Sequence, residues 1–111
     1  MTFLTHIAVM KFENVTALAE GNVYFDGKVV SHTIETADGA QKTLGVMMPG
    51  EYHFGTKAAE LMEIAAGGCS YILDGTTESI TVPAGSSFNV PADSGFTITA
   101  AQTCHYVCSY L

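Results

Sequence analysis

The expected fold depends on one stretch, Gly45-Val46-Met47-Met48-Pro49-Gly50-Glu51-Tyr52-His53-Phe54. It begins as an apolar run that predicts a buried strand, and its Pro-Gly pair then predicts a turn. Residues two apart in a strand point to the same face, so Glu51 and His53 share one side and Tyr52 and Phe54 share the other. If the first side faces a barrel interior, it forms a chemical site. Ordinary alternation with exposed polar residues gives the same pattern.

Outward from this stretch, the chain predicts short strands separated by turns. Three Asp-Gly pairs are strong hairpin signals, at residues 26–27, 38–39 and 74–75. Residues 58–66 also suit a helix, but Gly67-Gly68 cuts the segment short and favours a strand. Residues 12–21 suit either a short helix or an extended arm. The predicted strands are 23–25, 28–36, 43–48, 51–56, 61–66, 69–73, 80–82, 87–90, 96–100 and 106–111. This spacing predicts an all-β sandwich or barrel.

Length and composition bound the function. The chain has 111 residues, 48% of them hydrophobic, which is enough for the core of one domain. Only 14% are charged, so much of the surface is either neutral or buried in an oligomer. The net charge is -7, with four lysines and no arginine. A basic face for nucleic acid is therefore missing. Any bound anion must be held by a few lysines, backbone N–H groups, hydroxyls or a histidine.

The cysteines and the N-terminal residues bear on location. Cys104 and Cys108 lie four apart on a predicted strand, about 13 Å apart, which is too far for a disulfide. With Cys69 the number is odd, and no spacing suggests a zinc site. We expect buried apolar thiols and a reducing cytoplasm. Residues 1–10 lack a basic leader and a cleavage site and are too short to span a bilayer, so we expect neither a signal peptide nor a membrane segment.

Two motifs resemble those of cupins, which are small β-barrels. Gly45, Glu51-x-His53, Glu60 and Gly67 resemble the first cupin motif, with Glu51 in the place of its first histidine. The segment 82–88 resembles the second motif, with Phe88 in the place of the third histidine. Three or four convergent ligands are needed to hold a metal tightly, and this set offers at most Glu51, His53 and Glu60. The resemblance predicts a cupin-like double-stranded β-helix, a jelly-roll barrel, without a tight metal.

A closer resemblance covers residues 12–111 in collinear order. The matching segments are 24–29, 44–47, 49–54, 62–64, 88–91 and 106–108. Together they are similar to the small pyrimidine/purine nucleoside phosphorylases, which are single-domain cupins. The start of the match favours Met10 as the natural first residue. We therefore expect residues 1–20 to form an N-terminal arm or extension and residues 21–111 to form the barrel domain.

The resemblance implies a reaction. A pentosyltransferase of this family, one of the glycosyltransferases, converts a nucleoside and inorganic phosphate to free base and ribose 1-phosphate. The implied range is broad and includes adenosine, guanosine, inosine, uridine, cytidine, thymidine and xanthosine. Phosphate is then a co-substrate, and no cofactor is expected. The partners are nucleoside and phosphate, with neither nucleic acid nor membrane. Low charge and the habit of cupins to share strands predict a homodimer.

This chemistry needs groups that hold the phosphate and the ribose. Lys28 and Lys42 are the candidate phosphate ligands, and Lys57 matches the family less clearly. Glu51 and Glu63 are the candidate carboxylates that hold the sugar hydroxyls and offset positive charge at C1′. Each of these residues is equally compatible with a solvated surface charge. Glu60 matches only the generic cupin pattern and ranks lower.

The base needs a slot and a proton. Tyr52, Phe88 and Tyr106 are candidate stacking residues, because an aromatic face accepts either a purine or a pyrimidine. Asn89, in the same motif as Phe88, joins them as a candidate substrate-binding residue. Their alternative role is core packing. His53 is the candidate acid that protonates the leaving base, and its alternative is a plain exposed strand residue.

Two other functions compete with the phosphorylase. One is a metal-dependent cupin enzyme, such as a sugar isomerase or dioxygenase, that uses Glu51, His53 and Glu60. The other is a cupin that binds a small ligand without catalysis. A chelator and a phosphorolysis assay separate the three.

Overall fold

The computed structural model describes residues 10–111 and confirms an all-β chain, with no α-helix among those residues. A single 3₁₀ turn lies at Phe25–Gly27. The strands are β1 (Thr16–Ala17), β2 (Asn22–Tyr24), β3 (Val29–Glu35), β4 (Gln41–Met47), β5 (Gly50–Gly55), β6 (Glu60–Ala66), β7 (Cys69–Leu73), β8 (Ile80–Val82), β9 (Ser87–Val90), β10 (Gly95–Ala100) and β11 (Cys104–Tyr110).

The strands form two antiparallel sheets that enclose one core. The larger sheet has the order β1-β3-β4-β11-β6-β9, with β2 paired to β3, and the smaller has the order β5-β10-β7-β8. Chain neighbours such as β4 and β5 lie in different sheets, which is the jelly-roll arrangement. Side chains from the two inner faces meet in the core, among them Met47, Ile64, Phe96 and Ile98.

Most predicted strands and turns are present. Gly27, Gly39 and Gly75 all have positive φ angles, as the three Asp-Gly signals predict. The segment around 58–66 is strand β6, and it ends at Gly67 and Gly68, whose φ angles are +88° and +71°. A Cβ at Gly67 would lie 2.0 Å from the Thr103 carbonyl oxygen, so the tight turn requires glycine.

The N-terminal segment differs from one prediction. Residues 12–21 form no helix; they contain β1, which pairs with β3 through Thr16 opposite Glu35. This part of the predicted arm is therefore built into the larger sheet. Residues 1–9, on which the predicted extension also falls, lie outside the described residues. No helix within residues 10–111 has the length and apolar character needed to cross a membrane.

Strand β5 places its two sides as alternation predicts, but the aromatic side faces inward. Tyr52 is buried and Phe54 packs on the core, whereas Glu51 and His53 are exposed. The hypothesis that the acidic side of this strand faces the barrel interior is therefore wrong. The physical reason is the cost of burying a carboxylate and an imidazole without partners, compared with the gain from burying two aromatic rings.

Candidate active site

A cavity of ≈ 510 Å³ opens between the sheets, within the range of small-molecule sites. The residues that line it come from seven strands and the 3₁₀ turn: Tyr24, Phe25, Ser31, Thr43, Met47, His53, Phe54, Gly55, Glu60, Met62, Phe96, Tyr106, Cys108 and Tyr110. Its wall divides into an aromatic half and a polar half.

The aromatic half consists of Tyr24, Phe25, Phe54 and Phe96. The Phe54 ring lies at its centre, with ring centroids 6.0 Å from Tyr24, 5.4 Å from Phe25 and 5.8 Å from Phe96. Tyr24 and Phe25 are 44% and 43% exposed, so part of each ring is open to a ligand. This half offers apolar ring faces to a flat molecule.

The polar half lies on the inner face of the larger sheet. Its members are Ser31, Thr43, Glu60, Cys108 and Tyr110. Thr43 Oγ1 lies 3.4 Å from the Tyr110 hydroxyl, and the Cys108 thiol donates to Glu60 Oε1 at 3.4 Å. The strand register explains the grouping, because Cys108 is opposite Thr43 and Tyr110 is opposite Glu60.

Burial sets the protonation of this half. Burial raises the pKa of Cys108 to about 12 and that of Tyr110 to about 12, and the pKa of Tyr106 is raised further, mainly by burial. These three groups are therefore protonated donors at neutral pH. The pKa of the Glu60 carboxyl is also raised by burial, with the hydrogen bond from Cys108 opposing the shift.

Gly45 makes room for Tyr106. The two residues are directly opposite each other on β4 and β11. A Cβ at position 45 would lie 2.2 Å from the Tyr106 ring, closer than real atoms approach. The glycine in the initial apolar run therefore fixes where the tyrosine enters the cavity wall.

His53 is among the residues that line the cavity, but its imidazole lies on the outer side of β5, where it is paired with Asp74. His53 Nε2 is 3.1 Å from Asp74 Oδ1 and 3.0 Å from Asp74 Oδ2. The two side chains are 55% and 43% exposed. They meet over Gly95, where a Cβ would lie 2.5 Å from Asp74 Oδ2. The sequence analysis identified His53 but missed Asp74, which reaches it only because β10 pairs with both β5 and β7.

The predicted ribose carboxylates and phosphate lysines do not line the cavity. Glu51 is on the outer face of β5, and Glu63 is on the face of β6 opposite Met62 and Ile64. Lys42 Nζ donates to Ser109 Oγ at 2.7 Å, away from the cavity, and Lys28 is exposed beside the 3₁₀ turn. The roles of these four residues stay predictions without geometric support.

The predicted base-binding residues also lie mostly away from the cavity. Only Tyr106 lines the cavity. Tyr52 is 4% exposed and donates to the Met48 carbonyl at 2.8 Å. Phe88 is 5% exposed and stacks on Tyr71 with centroids 3.8 Å apart and an interplanar angle of 9°. Asn89 is exposed on β9. The positions of Tyr52 and Phe88 match the alternative of core packing.

Several wall residues were missed by the sequence reasoning. Phe54 shares a face with Tyr52, and Tyr110 and Cys108 share one with Tyr106, so alternation alone could have linked them. Tyr24 and Phe25 belong to a segment that carries the family resemblance. Residues 10–111 hold no group of three or more His, Cys, Asp or Glu side chains placed to bind a metal ion. His53 and Glu60 both line the cavity, but Glu51 does not join them.

The fold and the lined cavity define a class: a small cupin-like barrel with a cavity between its sheets. A cupin superfamily protein from Desulfitobacterium hafniense DCB-2 has a TM-score of 0.60 at 13% identity, over 92% of this chain and 81% of that one. A protein of unknown function (DUF1255) from Acinetobacter sp. ADP1 has a TM-score of 0.89 at 41% identity, over 91% and 98%. These likenesses confirm the predicted fold.

Sequence comparison identifies the family. The profile described as "Pyrimidine/purine nucleoside phosphorylase" matches residues 19–110. A protein of that name from Sulfurovum sp. (strain NBC37-1) is 54% identical over 101 residues, 91% of this chain and 98% of the relative. Another, from Paraburkholderia xenovorans (strain LB400), is 52% identical over 104 residues, 94% and 98%. The chain belongs to the pyrimidine/purine nucleoside phosphorylase family, as its motifs predict.

Proposed function

We propose that this chain is a nucleoside phosphorylase and that the cavity is its active site. Purine and pyrimidine nucleosides are cleaved there with inorganic phosphate to free base and ribose 1-phosphate, which is a pentosyl transfer. Membership in the family supports the activity. The division of the cavity into an aromatic and a polar half supports the placement, because a nucleoside has a flat base and a hydroxyl-rich sugar.

The base lies in the aromatic half and the ribose in the polar half. Phe54, Tyr24 and Phe25 offer ring faces, and stacking on them accepts either class of base. Stacking of this kind supports the broad substrate range. His53, which follows Tyr52 and precedes Phe54 on β5, stays the candidate that protonates the leaving base.

Phosphate is held without a lysine of the described cavity wall. Hydroxyls are hydrogen-bond donors to an oxyanion, and Ser31 and Thr43 provide them on the polar side. No metal or organic cofactor takes part in this proposal, and phosphate is a co-substrate. The chain acts as a homodimer in the cytoplasm; its three free cysteines support the reducing compartment.

The test uses purified protein treated with a chelator. Uridine or adenosine is incubated with and without phosphate, and free base and ribose 1-phosphate are measured. We expect both products only when phosphate is present. Without any release, the proposal fails. Release that needs an added divalent metal would favour the metal-dependent alternative, and binding without turnover would favour the non-catalytic one.

A pair of variants tests whether the base lies in the aromatic half of the cavity. Phe54→Leu removes the central ring of the aromatic half, and we expect KM for uridine to rise roughly tenfold, as for a lost stacking contact. Ile80→Leu changes an apolar residue that is 38% exposed on β8 and does not line the cavity, and it serves as the control. If Phe54→Leu leaves KM unchanged, the base does not lie in the aromatic half.

A further inference from the structure

Glu60 differs from every other carboxylate of residues 10–111 in facing the cavity. It is half-buried on β6, on the same side as Met62, and Val90 is opposite it on β9. On its other side, β11 presents Tyr110 and Cys108. No other Asp or Glu among the described residues lines the cavity.

The surroundings of Glu60 leave its charge without a cationic partner. The titratable groups that face it are Cys108, which donates a hydrogen bond at 3.4 Å, and the Tyr110 hydroxyl. Both are neutral at physiological pH. The cavity wall has no lysine among the described residues, and the ion pair found in residues 10–111 is that of His53 and Asp74. A half-buried carboxylate with one thiol donor retains unused acceptor capacity at the wall of the cavity.

We propose that Glu60 is a catalytic residue: its carboxylate holds a ribose hydroxyl and stabilises the positive charge that develops at C1′. This inference rests on the proposed phosphorolysis. This is the role that the sequence predicted for Glu51 and Glu63, neither of which lines the cavity. A preorganised charge in a poorly solvated site stabilises developing charge more strongly than the same group in water.

The step balances as follows. The C1′–N bond breaks and its electron pair goes to the base nitrogen, which takes up a proton. A phosphate oxygen forms the new bond to C1′, and HPO₄²⁻ loses its proton as it becomes the ester dianion of ribose 1-phosphate. The base gains one proton and the phosphate loses one, so the reaction releases no net proton. Glu60 stays ionised throughout, neither giving nor accepting a proton.

The need for an ionised Glu60 predicts the pH dependence. Burial disfavours its charged form, so the carboxylate forms at a higher pH than for an exposed glutamate. At a fixed concentration of HPO₄²⁻, the rate should therefore fall as the pH is lowered, and the fall should begin above the ordinary glutamate range. Cys108→Val removes the hydrogen bond that favours the carboxylate, and should move this acid limb to higher pH.

The experiment compares wild type, Glu60→Gln, Glu60→Asp and Cys108→Val in phosphate-dependent release of uracil from uridine. Glu60→Gln should lower kcat by about 10²-fold or more, the effect typical of a lost electrostatic contact in the transition state. It should also lose the acid limb. Glu60→Asp should recover part of the rate. Circular dichroism checks that each variant folds, and Glu78→Gln, an exposed loop residue, is the control.

The outcomes separate the two proposals. An active wild type with a folded Glu60→Gln that keeps kcat within threefold, or keeps the acid limb, overturns the role of Glu60 and leaves phosphorolysis intact. A wild type that releases no base in the presence of phosphate overturns both. Should Glu60→Gln not fold, the acid limb of Cys108→Val decides, and an unmoved limb contradicts the inference.

Discussion

At the scale of single residues, the contact between Gly45 and Tyr106 links stability to the site. Gly45→Ala would force the tyrosine ring, which is 8% exposed, away from its position in the wall. We expect a loss of about 1–3 kcal/mol in the free energy of unfolding, as for overpacking, together with slower turnover. Urea denaturation measures the first effect. Gly55→Ala is the control for stability, because a Cβ at position 55 would lie 3.8 Å from its nearest neighbour, the Ser94 carbonyl oxygen. Equal urea denaturation midpoints for Gly45→Ala and Gly55→Ala would contradict the prediction.

Glu60 should also make stability depend on pH. Its pKa is raised in the folded protein, so the folded state binds the proton more tightly than the unfolded chain. The resulting stabilisation is present below the unfolded pKa and is lost as the pH rises through the folded pKa. Glu60→Gln removes this loss, so its Tm relative to wild type should increase as the pH rises above the ordinary glutamate range. Thermal unfolding at a series of pH values tests it, with Glu78→Gln as the control. A constant difference would show that burial does not penalise the charge.

At the scale of elements, sequence alternation correctly paired the side chains of β5 but could not orient the strand. Which pair faces inward depends on β10, whose Phe96 and Ile98 are opposite Phe54 and Tyr52 and turn that face into core. The contact between Glu60 and Cys108 was missed because it, too, depends on strand pairing. Glu60 and Cys108 are 48 positions apart in the chain, and only the pairing of β6 with β11 brings them together.

The stack of Phe88 on Tyr71 joins the two sheets, because β9 belongs to the larger sheet and β7 to the smaller. Phe88→Leu should lower the free energy of unfolding by about 1–3 kcal/mol, since it removes ring contacts in a filled core. Phe54→Leu, in the partly open aromatic half, should cost less stability and act mainly on KM. Chemical denaturation and uridine kinetics on both variants distinguish a loss of stability from a loss of substrate binding. A large rise in KM for Phe88→Leu with unchanged stability would restore its predicted role as a base-stacking residue.

At the scale of the whole molecule, turn and strand signals predicted a sandwich or barrel, and the resemblance to cupin motifs predicted the jelly roll. The Asp-Gly turns and the short apolar runs specify local structure, and a two-sheet barrel is the arrangement that buries so many strands. The short β1 was missed because Thr16–Ala17 carries no apolar alternation and is ordered by pairing with β3. The cavity could not be predicted, because its wall comes from chain segments that meet only after both sheets have formed.

The outer face of the larger sheet bears on the predicted homodimer. Val23, Val30 and Val46 are cross-strand neighbours on β2, β3 and β4, and form an apolar row on the face opposite the cavity. Val23 is 64% exposed and Val46 is 36% exposed. In a chain with 14% charged residues, a row of this kind is suited to pairing with the same row of a second copy.

Val46→Glu tests this interface. Two copies paired across the row would bring the new carboxylates into an apolar contact, where burying them without partners is costly, so the variant should be a monomer. Light scattering coupled to size-exclusion chromatography measures the mass of wild type and variant over a range of concentrations. Thr81→Glu, on the exposed β8 of the smaller sheet, is the matched control and should keep the wild-type mass. A wild type with the mass of one chain at every concentration refutes the homodimer. A dimeric Val46→Glu keeps the homodimer but moves the interface to another face.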